Sequence, residues 1–326
     1  MKKTVSLTSL LIFLFAGFVF TPAVQAIDMV ASIKRVKGYV EVKKSTGKPI
    51  AGYKGQVLVD HDVVKTGRNA KATIIFRDGS EIRLFQNTTF VIEKSEEPKD
   101  GLRKKFFHNL KLNIGSFWGK FTKGKQRSKI ITPTATIGIK GTNVAFSERN
   151  DKLSLSLSSG KISVENLDGS MDLQPGKMIK DMTKNGSIKD KVIDLPYVIE
   201  IKPDKNSFKI PKPGKEEEIF FTLQLKNINT HSNVNMVGDV YISLDLDKIE
   251  FPEDIKLNAG GYQRVRAVVK PFQTADYKTG QVQIFAAMDG EEFLNVGAGQ
   301  TTLSYKIPKK ITKTIRINVN SGEIQK

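Results

Sequence analysis

The sequence contains no cysteine, and this absence excludes several classes of protein. Disulfide bonds, thiolate nucleophiles, cysteine-based metal centres and a lipid-modified N-terminal cysteine all require a thiol. The chain must therefore be held together by packing and hydrogen bonding.

Histidine is also scarce, with three residues in 326. His61, His108 and His231 are far apart, and none belongs to a pattern such as His-x-x-x-His that places two ligands on one metal. Asp60 and Asp62 flank His61, but alternation along a strand would put them on the face opposite the histidine. We interpret this segment as a solvated strand end and predict no metal site.

Motifs for catalysis or cofactor binding are likewise missing. The acidic stretch 245–254 is spaced loosely like a calcium loop but lacks the required glycine and the final bidentate glutamate. The serines between 154 and 159 have no Gly-x-Ser-x-Gly setting and are interpreted as the polar face of a strand. An enzyme acting on envelope polysaccharide is an alternative, but it would need a pair of carboxylates that the sequence does not single out. We predict no cofactor and no enzymatic activity.

Only one long hydrophobic run occurs, and it lies at the start of the chain. Lys2 and Lys3 precede the apolar run 10–20, and small residues follow up to Ala26. This order is typical of a cleavable secretory signal over residues 1–26. The alternative, an uncleaved membrane anchor, conflicts with a run shorter than the roughly 20 residues that span a bilayer. We expect a periplasmic or secreted protein.

No later stretch has a helical period, whereas alternation of apolar and polar residues recurs throughout, so the sequence predicts an all-β fold. The leucines and serines of 153–158 alternate, and Ser159-Gly160 is predicted to turn the chain into a second strand at 161–164. A second hairpin is predicted from 71–76 through Asp78-Gly79 into 82–84.

The length of the chain allows two domains, and the alternation lapses around 180–203. We place the boundary at Asp194, which gives residues 27–194 and 195–326 as the two domains. The second is predicted to be an immunoglobulin-like β-sandwich, because turn residues separate its strand-like runs at suitable intervals. These runs are 218–226, 239–245, 262–270, 280–287, 291–296, 300–307 and 311–319.

Positive charge is concentrated in the first of these domains. Residues 27–194 hold 32 Lys and Arg against 18 Asp and Glu, a net +14, whereas residues 195–326 hold 18 against 16, a net +2. The stretch 103–140 has ten basic residues and no acidic one. Such an excess favours an anionic partner.

Aromatic residues are interleaved with this basic stretch. On a strand, Phe117 and Phe121 share one face and are expected in the core, while Trp118 and Lys120 share the other. The candidate anion-binding residues are Trp118, Lys120, Lys123, Lys125, Arg127 and Lys129. The alternative is a solvated loop and strand face that only aids solubility. We expect an envelope polyanion or a partner protein, or contact with a membrane surface, and no nucleic acid, since export removes the protein from cellular DNA.

Several segments follow one another in the order of a FecR domain, and together they cover about residues 31–182. The segments are Asp62-Val-Val-Lys-Thr-Gly67, Ala72-Thr-Ile-Ile-Phe76, Asp78-Gly79-Ser80, Ile82-Arg-Leu84, Asn87-Thr-Thr89, Leu112-Asn-Ile-Gly115 with Phe117 and Phe121, Ile131-Thr-Pro-Thr-Ala-Thr-Ile137, Lys140-Gly-Thr142, Leu155 to Val164 around Gly160, and Leu173-Gln-Pro-Gly176. The first domain resembles the FecR family, and the fold expected from this resemblance is a β-roll or sandwich.

The resemblance implies an envelope sensing or binding module. The iron-transport regulators of this family carry the domain behind a membrane helix and a cytoplasmic segment that controls a sigma factor, and neither part is recognisable here. We therefore expect an exported binding or scaffolding protein. The alternative is an accessory signalling protein that presents a sensing domain to a membrane partner.

Overall fold

The computed structural model describes residues 29–96, 107–122, 128–228, 236–272, 280–306, 316–317 and 324–325. Within these ranges the regular structure is β-strand apart from two short 3-10 helices, which confirms the predicted all-β class. The predicted signal and the basic residues 123–127 lie outside the described residues.

Residues 29–194, here called the N-terminal module, form fifteen strands that belong to a single hydrogen-bonded sheet. The strands are β1 (Ala31–Lys37), β2 (Val40–Lys43), β3 (Ile50–Ala51), β4 (Val57–Leu58), β5 (Val63–Thr66), β6 (Lys71–Phe76), β7 (Glu81–Leu84), β8 (Thr89–Glu96), β9 (Phe107–Lys120), β10 (Ser128–Ile131), β11 (Thr136–Arg149), β12 (Lys152–Glu165), β13 (Ser170–Leu173), β14 (Lys177–Met182) and β15 (Val192–Asp194). A 3-10 helix at Lys189–Lys191 precedes β15.

The long strand β9 organises this module because it pairs with four others. Its first half pairs with β8 and β10, and its second half pairs with β7 and β11. The sheet therefore folds over a core to which opposite parts of the sheet contribute, including Val64, Ile74, Phe90, Phe117 and Phe146. Phe117 packs against both Phe90 and Phe146, and Phe121 joins the same core, as the alternation predicts.

One predicted hairpin is confirmed and the other is wrong. Strands β6 and β7 pair antiparallel with Ile74 opposite Ile82, and the turn between them contains Asp78 and Gly79. In contrast, β12 runs through Ser159 and Gly160 without turning. Gly160 has a φ of 89° and faces a shift in register with β11 near Gly141, so it serves a β-bulge. A glycine in a strand-like sequence is compatible with a hairpin turn or with a β-bulge, and only the strand pairing distinguishes the two.

Residues 195–306, here called the C-terminal module, form two five-stranded sheets. One contains β16 (Tyr197–Pro203), β18 (Glu217–Asn227), β20 (Ile249–Glu250), β22 (Tyr262–Val269) and β24 (Val296–Gly297). The other contains β17 (Ser207–Lys209), β19 (Val237–Leu244), β21 (Lys256–Asn258), β23 (Gly280–Asp289) and β25 (Gly299–Lys306). A separate pair, β26 (Arg316–Ile317) and β27 (Ile324–Gln325), follows.

The two sheets of the C-terminal module share one hydrophobic cluster that includes Phe221, Leu223, Val265, Ile284 and Leu303. The immunoglobulin-like class of this module stays a prediction. Four predicted strands agree closely with β18, β19, β22 and β23, and a fifth with β25.

Two predictions for this half of the chain need correction. The run 291–296 forms a 3-10 helix at Glu291–Asn295, with Val296 beginning β24. The stretch 180–203, where the alternation lapses in the sequence, contains the end of β14 and all of β15 and β16. Pro196 separates these short strands, which hid their period. The run 311–319 lies mostly outside the described residues.

Candidate functional site

The C-terminal module covers the outer face of the N-terminal sheet. On this face Thr73, Arg83, Trp118, Ala145 and Ser156 are all buried, although their side chains point away from the core of their own module. Phe85, Trp118 and Ala145 belong to the hydrophobic cluster of the C-terminal module. The face that the alternation marks as polar is therefore an interface between modules.

A largely buried ion pair joins the two modules across this interface. Arg83 on β7 donates two parallel hydrogen bonds to Asp289 at the end of β23, from Nε to Oδ1 and from Nη2 to Oδ2, each at 2.8 Å. Lys71 adds a contact of 2.9 Å to the same carboxylate. Burial alone would raise the pKa of Asp289, but the hydrogen bond and charge of Arg83 outweigh it, so the pKa is lowered. Asp289 is thus charged, and its carboxylate binds both Arg83 and Lys71 of the N-terminal module.

A second polar contact across the interface is made by Glu81, which is completely buried. The Tyr241 hydroxyl donates to its Oε1 at 2.6 Å, and Lys34 donates to its Oε2 at 2.9 Å. Burial and the neighbouring Glu81 carboxylate raise the pKa of Tyr241, so its hydroxyl keeps its proton and remains a donor. The Arg83 guanidinium also lies 4.2 Å from the Tyr241 ring centroid.

Trp118 and Lys120 lie at this interface, away from solvent. Both are on the face opposite Phe117, as predicted, but each is less than a tenth exposed. Trp118 packs edge-on to Tyr241, and the Lys120 ammonium lies 5.1 Å from the Phe285 ring centroid. Burial lowers the pKa of Lys120, although the Glu81 carboxylate opposes this shift. Docking of the second module thus removes these two residues from an external polyanion.

The remaining candidates are divided by the structure. Lys129, on β10, is exposed. Lys123, Lys125 and Arg127 fall outside the described residues, and anion binding by this segment stays a prediction.

A cleft opens where the two modules meet, beside the Arg83–Asp289 pair. It has a volume of about 490 Å³ and is lined by both modules. The lining residues are Lys37, Asn69, Ala70, Lys71, Phe85, Gln86, Asn87, Ser116, Ser147, Arg149, Gly290, Phe293 and Leu294. Phe85 of one module packs against Phe293 of the other, with ring centroids 4.3 Å apart and planes tilted by 43°, so this pair gives the cleft an aromatic lining.

A second cleft, of about 440 Å³, adjoins the first. Ser147, Arg149 and Leu294 line both, so the two clefts form one groove along the module boundary, here called the junction groove. The charged residues of the second cleft are Arg149, Lys152, Lys180, Asp181 and Glu292. No local sequence pattern marks this groove, because its walls come from segments more than 100 residues apart.

No sequence motif marks the hydrogen-bonded chain that Ser95, His108 and Asp78 form. His108 is buried, its Nδ1 lies 2.7 Å from the Ser95 hydroxyl, and its Nε2 lies 3.1 Å from Asp78 Oδ2. Asp78 also accepts from Ser80 and Thr122. Burial would raise the pKa of Asp78, but His108, Ser80 and Thr122 outweigh it and lower the pKa to about 2. The chain ties β8, β9 and the β6–β7 turn together.

The segment around His61 differs from the predicted solvated strand end. It forms a turn in which His61 has a φ of 67°. Asp62 is fully buried, accepts from the backbone of Val59, and pairs with Lys44 at 2.6 Å. The carboxylate is used to fix this turn. Among the described residues, no three His, Asp or Glu side chains are grouped closely enough to hold a metal ion.

The family model described as FecR protein matches residues 62–163. These residues run from the buried Asp62 turn through most of β12 and include the strands that form the covered face. The match confirms the resemblance to the FecR family that the motifs predict, for residues 62–163.

Two solved structures show a weaker likeness. Both are crystal structures of a proposed anti-sigma factor from Parabacteroides distasonis, at 1.65 and 2.50 Å resolution. Each is 14% identical over 40% of this chain, with a TM-score of 0.32. The alignment spans 57% of that protein, which is less than two thirds of its length. No curated protein matches the sequence.

No helix within the described ranges is long and apolar enough to cross a membrane.

Proposed function

We propose that this protein is an exported, non-enzymatic binding protein of the cell envelope, in which the FecR domain and the C-terminal module act together. The FecR match supports a sensing or signalling role at the envelope. The observation that supports this proposal most directly is the buried interface with its ion pair, because the junction groove lies between the two modules that it joins. The groove is the binding site, and the signal over residues 1–26 delivers the protein to the periplasm or the exterior.

Both modules are needed for this site. The first cleft takes Lys37, Arg149 and the polar strand ends from one module, and Phe293 and Leu294 from the other. Buried polar groups that fix one docking geometry hold a concave site open in a defined shape. An immunoglobulin-like C-terminal module would serve as the second wall of the groove.

The absence of cysteine makes a direct test possible, because one introduced thiol is unique. Ser147 is half-buried where the two clefts meet, and Ser147→Cys changes one atom. A bulky maleimide attached there fills the groove. We expect the labelled variant to lose capture of envelope components that the unlabelled variant retains, as measured by pull-down from envelope extract and mass spectrometry.

The matched control is Ser170→Cys, at an exposed position at the start of β13. The same label there should leave capture unchanged. Capture that survives labelling at Ser147 would exclude the groove as the binding site. Identical losses in both variants would assign the effect to the label itself.

A second candidate function is favoured by the FecR match. The protein would act as an accessory that presents its sensing domain to an integral membrane protein. Crosslinking in intact cells, followed by purification in detergent, would then yield one membrane protein in a fixed ratio to this chain. Recovery of glycan or soluble protein alone would exclude this alternative.

A further inference from the structure

We propose that the junction groove binds an acidic sugar chain, with Arg149 as the anchor for its carboxylate or phosphate groups. This inference rests on the proposed function, since it names the class of ligand for the same site. It is carried by the position of Arg149, by the charges that line the groove, and by the alternation of polar and apolar surface along it.

Arg149 lies where the two clefts join, at the end of β11. Its Nη2 donates to the backbone carbonyl of Gln86 at 3.2 Å, which orients the guanidinium while leaving other N–H groups to donate. No carboxylate within the described ranges forms an ion pair with it. A held, half-buried guanidinium with free donors is suited to a two-point contact with a carboxylate or phosphate.

The charge around Arg149 favours an anion. In the first cleft the charged lining residues are Lys37, Lys71 and Arg149, all of them cations. Lys71 is paired with Asp289, but Lys37 has no ion pair with a described residue. The groove therefore presents cations that its own walls do not neutralise.

The second cleft is also basic on balance. Lys152 and Lys180 are exposed and, with Arg149, outnumber its two acids. Of these acids, Glu292 accepts a hydrogen bond from Asn295 at 2.6 Å. Positive charge thus continues from one cleft into the next, which suits a ligand with repeated anionic groups better than one with a single charge.

The uncharged lining distinguishes a sugar from other anions. Amides and hydroxyls from Asn69, Gln86, Asn87, Ser116 and Ser147 line the first cleft, together with the contacting aromatic pair Phe85 and Phe293. A sugar ring has hydroxyls at its edge and apolar C–H groups on its faces, and it can use both surfaces. Inorganic phosphate would make no contact with the aromatic lining, and a fatty acid would leave the amide groups without hydrogen-bond partners.

The size of the groove favours a chain over a single sugar. Each cleft is within the range of about 300–1,000 Å³ that is usual for small-molecule sites. Because the clefts adjoin at Arg149, one chain can occupy both. Affinity should then rise with chain length until the groove is filled.

The test uses the full mature protein and purified probes in titration calorimetry. The probes are hexagalacturonate, galacturonate monomer, the neutral maltohexaose, polyglutamate and inorganic phosphate. We expect hexagalacturonate to bind at least tenfold more tightly than the monomer, and at least tenfold more weakly at 500 mM than at 50 mM salt. Maltohexaose should give no measurable heat.

Arg149→Gln should weaken hexagalacturonate binding at least tenfold. The matched control is Arg266→Gln, which removes the same charge from an exposed position on β22 of the C-terminal module. Circular dichroism and the melting temperature verify that both variants are folded. If Arg149→Gln misfolds, the labelled Ser147→Cys protein provides the second test, and its label should abolish sugar binding.

Three outcomes would overturn the proposal. Equal affinity for polyglutamate and hexagalacturonate would show recognition of charge alone. Equal losses in the two arginine variants would move the anion site away from the groove. If hexagalacturonate fails to bind while the Ser147 label still abolishes capture from envelope extract, the groove remains the binding site and the sugar class is wrong.

Discussion

Single residues at the module interface carry charge although their side chains are largely buried. Burial alone would lower the pKa of Arg83, but its hydrogen bond and pairing with Asp289 outweigh this and raise the pKa. A buried ion pair stabilises the folded protein little more than an apolar pair of similar size. Removing one partner, however, leaves the other charge buried without a counterion. Arg83 and Asp289 therefore enforce one docking geometry, and the cost of losing either should be large.

We expect Asp289→Asn to lower the free energy of unfolding by about 3 kcal/mol, because Arg83 is left buried without its anion. Urea denaturation measures this value. In the double variant Arg83→Met with Asp289→Leu, the loss should be smaller than the sum of the two single losses.

The matched control is Glu218→Gln, which breaks the exposed pair between Glu218 and Arg266. There the loss should stay below about 1 kcal/mol. Similar losses in the buried and the exposed pair would contradict the role assigned to Arg83 and Asp289.

Asp78 makes the fold sensitive to acid. Its pKa in the folded protein is about 2, below the ordinary value for aspartate, so the charged form is favoured by folding. The stabilisation is complete above about pH 4 and is lost as the pH falls toward 2. We expect Asp78→Asn to be about 2 kcal/mol less stable at pH 7 and to show a flatter stability profile between pH 4 and 2. An unchanged profile would show that another carboxylate controls acid unfolding.

At the scale of elements, three long strands determine where the groove forms. Strands β9, β11 and β12 each contain fourteen residues and change partner partway along. Glycines with positive φ lie at the irregular positions, including Gly115 at 107°. At Gly115 a side chain would also collide with the backbone and hydroxyl of Thr88, about 2.4 Å from an added Cβ. Strand β9 can approach the segment before β8 this closely only because residue 115 has no side chain.

We expect Gly115→Ala to destabilise the protein by about 3 kcal/mol or more, since both the backbone and the contact with Thr88 resist a side chain. Gly47→Ala is the matched control, because Gly47 also has a positive φ of 120° but faces open space. Its loss should be close to 1 kcal/mol, and thermal unfolding compares the two. Equal losses would show that backbone strain alone is responsible.

The strands themselves could be predicted from the sequence better than what covers them. Alternation in 71–84 and in 117–121 correctly separates core side chains from the opposite face. Whether that opposite face meets water or protein depends on residues such as Tyr241 and Asp289, more than 100 positions away. No local pattern contains that information. The sequence thus predicts the correct strand face for Trp118 and Lys120 but not that the other module buries them.

At the scale of the whole molecule, two sheet systems meet without sharing a strand pair in the described residues. Division of the chain into two domains at Asp194 stays a prediction. Limited proteolysis can test it, but the buried interface can hold the fragments together after cleavage, so cleavage and separation must be measured independently. The turn at 183–186, between β14 and β15, is the exposed segment of the predicted linker where we expect a protease to cut first.

After such a cut, the two fragments of the wild-type protein should remain associated, because β15 stays paired with β14 and because the Asp289 ion pair and apolar packing hold the interface. Combining Arg83→Met with Tyr241→Phe should weaken this association, since the hydrogen bonds from Arg83 to Asp289 and from Tyr241 to Glu81 are then lost. Size-exclusion chromatography of the cut proteins measures this. Separation of the wild-type fragments would show that the covalent link alone keeps the modules together.

The position of Trp118 has an optical consequence. It is the single tryptophan of the chain, it is 3% exposed, and it packs against Tyr241 of the other module. Undocking would move the only strongly fluorescent side chain from an apolar contact into water. Emission should therefore shift to longer wavelength and become open to quenching by iodide as the modules part, even while each stays folded. The intrinsic emission of Trp118 therefore reports whether the modules are docked, and it can be followed during a ligand titration without any added label.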